Sequence, residues 1–480
     1  MKKLIIFAFA LLFAEQMLVA QTLLTSTFLQ HKTKNQLIAE FNNPLIRNGV
    51  NLYKVTYLTP NVQGVSSTAS GLLVAPDNFN KIYPLLCYQH GTSSSKTDVP
   101  SHLNGESQLA TILSGMGYLV AAPDYLGLGD SPGFHPYVHA ATEASAAVDL
   151  LRAARDFAAQ EELQLNGQVF VTGYSQGGHA AMALHRKLEL ELSNEFAVTA
   201  AAPMSGPYSI GGIMRELILS ENEYFFPAYI PNTILSYQMM YGNLYNDLSE
   251  VFKPTYVPAI TKFGNGEISL SELNTTLISL LTANEGASVP LKMMQDAMVG
   301  AILTNPQHPF NVALNENNVY DWAPTAPTRL VYCTADDQVP FENAILADSV
   351  MNANGAAEVV SFNAGPSANH TGCVFPATFY TILFFSTLQQ LEDITTAAIN
   401  ATTGHLDIFP NPASEAVFIK NLPGKGELHL LNLNGRLLRS MPIVQGDNEL
   451  SLNGLSAGMY LMKITGEDRI WVNKLMVRRE

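Results

Sequence analysis

The chain has 480 residues, 47% hydrophobic, 9% aromatic and 14% charged, which suits a folded protein of two or more domains and excludes a disordered or collagen-like one. Its 41 acidic residues against 26 basic ones give a net charge of −15, with no basic run, so nucleic acid is excluded as a natural partner. Three cysteines, Cys87, Cys333 and Cys373, are too few for a disulfide-built scaffold.

The first residues read MKKLIIFAFALLFAEQMLVAQ. Two lysines, an apolar run from Leu4 to Phe13 and small residues before Gln21 predict a secretory signal peptide over 1–20, too short for a membrane span. Export permits a Cys333–Cys373 disulfide if the fold brings the two together; three small buried thiols are the alternative. From residue 50, LYKVTYLTP and TASGLLVAP flank a polar turn and predict an antiparallel hairpin. YPLLCYQHG adds a short strand. Strands and helices then alternate: GYLVAAPDY, an Ala-rich helix, GQVFVTGYS, the helix QGGHAAMALHRKLELEL and FAVTAAAPMSG. That rhythm predicts a mostly parallel sheet covered on both faces, an α/β fold.

Over 211–327 the alternation stops. The segment is rich in Tyr, Phe, Met and Pro and reads as an inserted helical subdomain. The sheet resumes with TRLVYCT and AEVVSF and closes on a helix after His370, giving a main domain over 21–393. Residues 394–405 are nearly uncharged and aperiodic, a linker. Residues 406–480 carry short alternating strands between Gly and Asn turns, a small all-β sandwich.

Gly-x-Ser-x-Gly occurs twice, at Gly173–Gly177 and at Gly454–Gly458. A nucleophilic serine on this motif needs a strand before it and a helix after it, so that the turn exposes the hydroxyl and the helix start stabilises an oxyanion. Ser175 has QVFVTGY before it and QGGHAAMALHR after it, whereas Ser456 lies between two strand-like runs. Ser175 is therefore the candidate nucleophile, with Gly173 and Gly177 allowing the tight turn, and the second copy reads as a chance match. The acid should follow a later strand, where RLVYCTADDQVP offers Asp336 and Asp337; Asp336 is the better placed. His370, in a Gly/Pro/Ser/Asn loop after the next strand, is the candidate base. The amide of Gln176 and that of Thr92, in CYQHGTSSS, are the candidate oxyanion donors. Asp124, His135, His139, His179 and His185 match no metal-ligand spacing and read as structural, as does His90. No cofactor is called for.

Residues 45–393 resemble an α/β-hydrolase of the secretory lipase family, on YQHGT, PDYLGLGDS, GYSQGGHAA, DDQVP and NHTG in that order. The resemblance implies ester hydrolysis through an acyl-enzyme, with Ser175, Asp336 and His370 as triad and a lid inserted between the sixth and seventh strands, the place of 211–327. Residues 406–480 resemble the C-terminal sorting domain of the type IX (Por) secretion system, on IFPNPAS, LLNLNGRLL, GLSAGMYLMKI and NKLMVRR. That implies a Gram-negative cell, the type IX machinery as partner, and release to the exterior or the cell surface. The expected function is a secreted lipase-like ester hydrolase. Rivals are an esterase of plant or glycan esters, a serine peptidase on the same fold, and a catalytically silent surface-binding protein.

Overall fold

In a computed structural model of the chain, residues 22–393, 407–432, 437–466 and 470–479 are described; the expected signal peptide and linker lie outside them. The chain divides into two units, Met1–Asp393 and Ile394–Glu480.

The first unit is built on one ten-stranded sheet. In chain order its elements begin β1 (Leu23–Lys32), α1 (Lys34–Phe41), β2 (Val50–Pro60), β3 (Ser66–Pro76), β4 (Lys81–Gln89), α2 (Ser107–Gly115), β5 (Leu119–Pro123), α3 (Ala140–Gln160), β6 (Gln164–Tyr174), α4 (Gln176–Glu191) and β7 (Val198–Met204). Six helices follow: α5 (Arg215–Ile218), α6 (Tyr229–Tyr241), α7 (Val257–Gly264), α8 (Leu270–Glu285), α9 (Asp296–Thr304) and α10 (Pro309–Glu316). The chain then returns through β8 (Thr328–Tyr332), α11 (Glu342–Ala353), β9 (Val359–Asn363), α12 (His370–Ser386) and β10 (Glu392–Asp393).

The strands run in the order β1-β2-β3-β5-β4-β6-β7-β8-β9, with β10 on the free part of β4. β1, β2, β3 and β5 pair antiparallel, and β5 through β9 are parallel. The expected hairpin is β2–β3, in register from Val50↔Pro76 to Pro60↔Ser66. β1 was not expected. Its face is mostly exposed, so LLTSTFLQHK lacks the regular apolar alternation that announces a half-buried strand.

Burial explains the layers. β4 and β5 are apolar on both faces because helices cover both. On one side the small residues Ala146, Ala147, Ala153 and Ala154 let α3 lie close to the sheet, with Ala181 and Leu184 of α4 beside them. On the other, Leu37 of α1, Leu113 of α2 and Phe385 of α12 pack on Leu86 and Phe170. Helices α6 to α10 enclose a separate core around Tyr237, Phe252, Leu273 and Leu277, joined by Tyr137 and Val138 from the loop before α3.

β4 and β6 are neighbours in the sheet, and the chain leaves β4 toward β5 and β6 toward β7, in opposite directions. A reversal of this kind opens a crevice at the carboxyl ends of the strands. Gln89 at the end of β4 pairs with Gly173 at the end of β6, which brings the loop carrying Thr92 beside Ser175.

The second unit has a three-stranded sheet, β11 (Asp407–Phe409), β12 (Ala416–Leu422) and β15 (Gly446–Ser451), and a four-stranded one, β13 (Gly426–Leu431), β14 (Leu437–Ile443), β16 (Gly458–Gly466) and β17 (Ile470–Val477). Val417, Ile419 and Leu450 of the first share one core with Leu428, Leu430, Met462 and Leu475 of the second, so the two sheets form a sandwich.

Candidate active site

Ser175 is the single residue between β6 and α4. Its φ of 60° and ψ of −122° are strained for a residue with a side chain, at a cost of about 1–3 kcal/mol. The surroundings hold it there: its N–H donates to the Met204 carbonyl at 3.0 Å, and its carbonyl accepts from Gly178 N at 2.8 Å. The flanking glycines are required by close approach. A Cβ on Gly173 would stand 2.3 Å from the Gly177 carbonyl oxygen, and one on Gly177 would stand 2.0 Å from that of Gln89. A Cβ on Gly178 would stand 2.4 Å from the Met204 carbonyl oxygen.

The Ser175 hydroxyl lies 2.8 Å from His370 Nε2. His370 Nδ1 faces both oxygens of Asp336, at 2.7 and 2.9 Å. A carboxylate accepts, so the ring proton sits on Nδ1 and Nε2 is free to take the serine proton. Asp336 is fixed in turn by the N–H groups of Gln338 and Val339, at 3.0 and 2.9 Å. Asp337 has another position: its Oδ1 accepts from the His370 backbone N–H at 3.0 Å. Tyr174 Oη donates to the His370 carbonyl at 2.6 Å. Cys333, three residues before Asp336, forms a disulfide with Cys373, three after His370. The bridge is fully buried and ties the Asp336 loop to the start of α12. Cys87 is a buried free thiol.

Gln176 opens α4, and its main-chain N–H, like that of Thr92, donates to no protein acceptor among the described residues. The Thr92 hydroxyl meets Tyr137 Oη at 3.0 Å. His90 is buried, its ring nitrogens on the carbonyls of Gly91 at 2.7 Å and Asp124 at 3.3 Å. Asp124 holds Ser70 Oγ at 2.6 Å and Ser101 N at 3.0 Å, and His139 caps α3 through Thr142. His185 bonds Glu189 at 2.8 Å. None of these bonds to the side chain of Ser175, Asp336 or His370. The sequence reading missed Glu143, on the first turn of α3. Its carboxylate takes Gln176 Nε2 at 2.9 Å and His179 Nδ1 at 2.7 Å. Only its place among alanines in ATEASAAVDLL, a charge where an apolar residue would pack, signalled it.

A pocket runs from Ser175 and Gln176 into the helical insertion. Ile210, Ile230, Ile234, Met294 and Phe310 line it, and Arg215 is its one charged lining residue. Ile210 and Met214 stand on a π-helical turn over Ile210–Met214. Such a pocket accepts a hydrocarbon chain by removing its surface from water, worth about 0.8 kcal/mol for each buried methylene. Among the described residues, no helix is long and apolar enough to cross a membrane.

Residues 90–375 match the alpha/beta hydrolase family, and residues 407–478 match the secretion system C-terminal sorting domain of the Por type. Among solved structures, the rice cell wall degrading esterase LipA from Xanthomonas oryzae is 32% identical with a TM-score of 0.68, over 77% of this chain and 98% of that one. Candida antarctica lipase A, at 15% identity and a TM-score of 0.53 over 73% of this chain and 77% of that one, shares the fold. No curated protein matches the chain significantly. The sorting domain directs export by the type IX machinery to the exterior or surface of a Gram-negative cell. The chain belongs to the α/β-hydrolase family and carries a Por secretion sorting domain over residues 407–478.

Proposed function

We propose that the protein is a secreted carboxylic-ester hydrolase, lipase-like, with Ser175, His370 and Asp336 as its catalytic triad and 211–327 as a cap over the acyl chain. The observation that carries this is the continuous chain Ser175 Oγ–His370 Nε2, His370 Nδ1–Asp336 at 2.8 and 2.7 Å, opening on an apolar pocket. His370 takes the Ser175 proton as Oγ attacks the ester carbonyl. The Gln176 and Thr92 amides receive the oxyanion, His370 returns the proton to the leaving alcohol, and water repeats the sequence on the acyl-enzyme. Asp336 keeps the proton on Nδ1 and stabilises the imidazolium. Each oxyanion donor is worth about 10²–10³ in turnover.

A second reading, an esterase of plant cell-wall esters, is favoured by the 32% identity to a rice cell wall degrading esterase over 98% of that chain. p-Nitrophenyl esters from acetate to palmitate, assayed beside acetylated and feruloylated glycans, separate the two. Increasing kcat/KM with chain length to an optimum supports the lipase-like reading; activity confined to the glycans refutes it.

A further inference from the structure

A buried polar cluster lies behind the oxyanion hole, away from the triad. Glu143 and Gln176 are each 1% exposed, and His179 is fully buried. Proton counting fixes the roles. His179 Nε2 is 2.9 Å from the Asn317 carbonyl, which only accepts, so Nε2 carries a proton. The 2.7 Å contact between His179 Nδ1 and Glu143 Oε2 then contains one shared proton, and the pair is neutral as a whole. This leaves Glu143 Oε1 as the acceptor for Gln176 Nε2 at 2.9 Å.

The other Gln176 Nε2 proton points at His135 Nε2, 2.8 Å away. His135 Nδ1 donates to the Leu126 carbonyl at 2.8 Å, so its Nε2 is a bare acceptor. Burial holds the His135 pKa down at about 4, which keeps the ring neutral. A flipped Gln176 amide would set its oxygen against two acceptors, so the orientation is determined. Both protons of one amide nitrogen are thus committed, to α3 and to the loop before it. The residue they pin is the one whose main-chain N–H, next in the chain to Ser175, is the candidate oxyanion donor.

We propose that the Glu143–His179 pair, with His135, is a positioning device for the oxyanion hole: it fixes the Gln176 side chain and thereby the angle of the Gln176 main-chain N–H. The inference rests on the ester-hydrolase reading above. Glu143, His179 and His135 act through Gln176 and touch no reacting atom. Asn317 follows α10, so the same chain of bonds ties the oxyanion donor to the end of the helical insertion.

Glu143→Met removes the acceptor, whereas Glu143→Gln can give its amide to His179 and its carbonyl to Gln176. The expected result on an ester substrate is a kcat about 10–100-fold lower for Glu143→Met, with KM within about twofold. Glu143→Gln should stay within about threefold of wild type, and a trifluoromethyl ketone, which forms a tetrahedral oxyanion on the serine, should weaken on Glu143→Met by the factor lost in kcat/KM. Gln176→Met should match Glu143→Met, and the double variant should be no worse than either single one. A loss in KM with kcat intact, a Glu143→Gln as damaged as Glu143→Met, or fully additive losses would overturn the proposal. If Glu143→Met does not fold, Gln176→Met decides alone, since a wild-type kcat there is equally fatal. A wild-type protein without ester turnover refutes the hydrolase reading itself, a distinguishable outcome.

Discussion

The pentapeptide Gly-x-Ser-x-Gly folds in two ways within this chain. At Gly173–Gly177 it joins a strand to a helix, the serine takes a φ of 60°, and both glycines lie against backbone carbonyls. At Gly454–Gly458 it turns between β15 and β16, and a Cβ on either glycine would meet nothing closer than 3.7 Å. There the glycines serve backbone conformation, with φ of 83° and 157°. Ser456 is not among the residues of positive φ, and its carbonyl accepts from Tyr460 Oη at 2.7 Å. Five residues of pattern do not determine a nucleophile; the elements before and after them do.

The largest effect expected is on the serines themselves. Ser175→Ala should lower kcat/KM by about 10⁴ or more, and Ser456→Ala should leave it within about twofold. Asp336→Asn should cost on the order of 10⁴ in kcat through the wrong His370 tautomer. Asp337→Asn should cost far less, because its bond is to the His370 backbone. Equal losses for the two aspartates would contradict this assignment of the acid.

The glycines sharpen the comparison through stability. Gly177→Ala forces a methyl to 2.0 Å from the Gln89 carbonyl oxygen and should cost 3 kcal/mol or more, approximately, read as a fall in melting temperature with loss of activity. Gly454→Ala meets only an ordinary contact, 3.7 Å from Arg439 Nη2, and a φ of 83°, and should cost about 1–2 kcal/mol in the small unit with activity intact. The disulfide belongs to the site's side of the contrast. Cys333→Ser/Cys373→Ser should lose roughly 2–4 kcal/mol of stability, with a lower kcat, as the acid's loop loosens from α12.

The smallest effect is on acid stability. Burial holds His139, like His135, at about pKa 4 against an ordinary 6.5. As pH falls, the unfolded chain takes up these protons first, so stability falls between about pH 6.5 and 4 and levels off, for these groups, below that. His139→Asn, which keeps a cap for α3, should flatten the melting-temperature slope in that window. An unchanged slope would show that other groups carry it.

The order of strands and helices was legible because apolar runs of strand length alternate with helix-length segments. The relation of Ser175, Asp336 and His370 was legible because each follows a strand at the same edge of a parallel sheet. β1 was not legible, since its exposed face erases the alternation. Glu143 was not, because its partners Gln176 and His179 lie 33 and 36 residues away on another helix and only the packing of α3 on α4 joins them. Pocket and helical core could not be separated by composition, and the fold shows the reason: Ile210, Ile230, Ile234 and Phe310 serve both.

The most direct test is covalent. The wild-type protein, Ser175→Ala and Ser456→Ala should each be treated with a fluorophosphonate probe, and the adduct located by peptide mass spectrometry. A single adduct on Ser175 is expected, present in wild type and Ser456→Ala and absent in Ser175→Ala. No adduct on the folded wild-type protein, or equal labelling of Ser175→Ala, would contradict it.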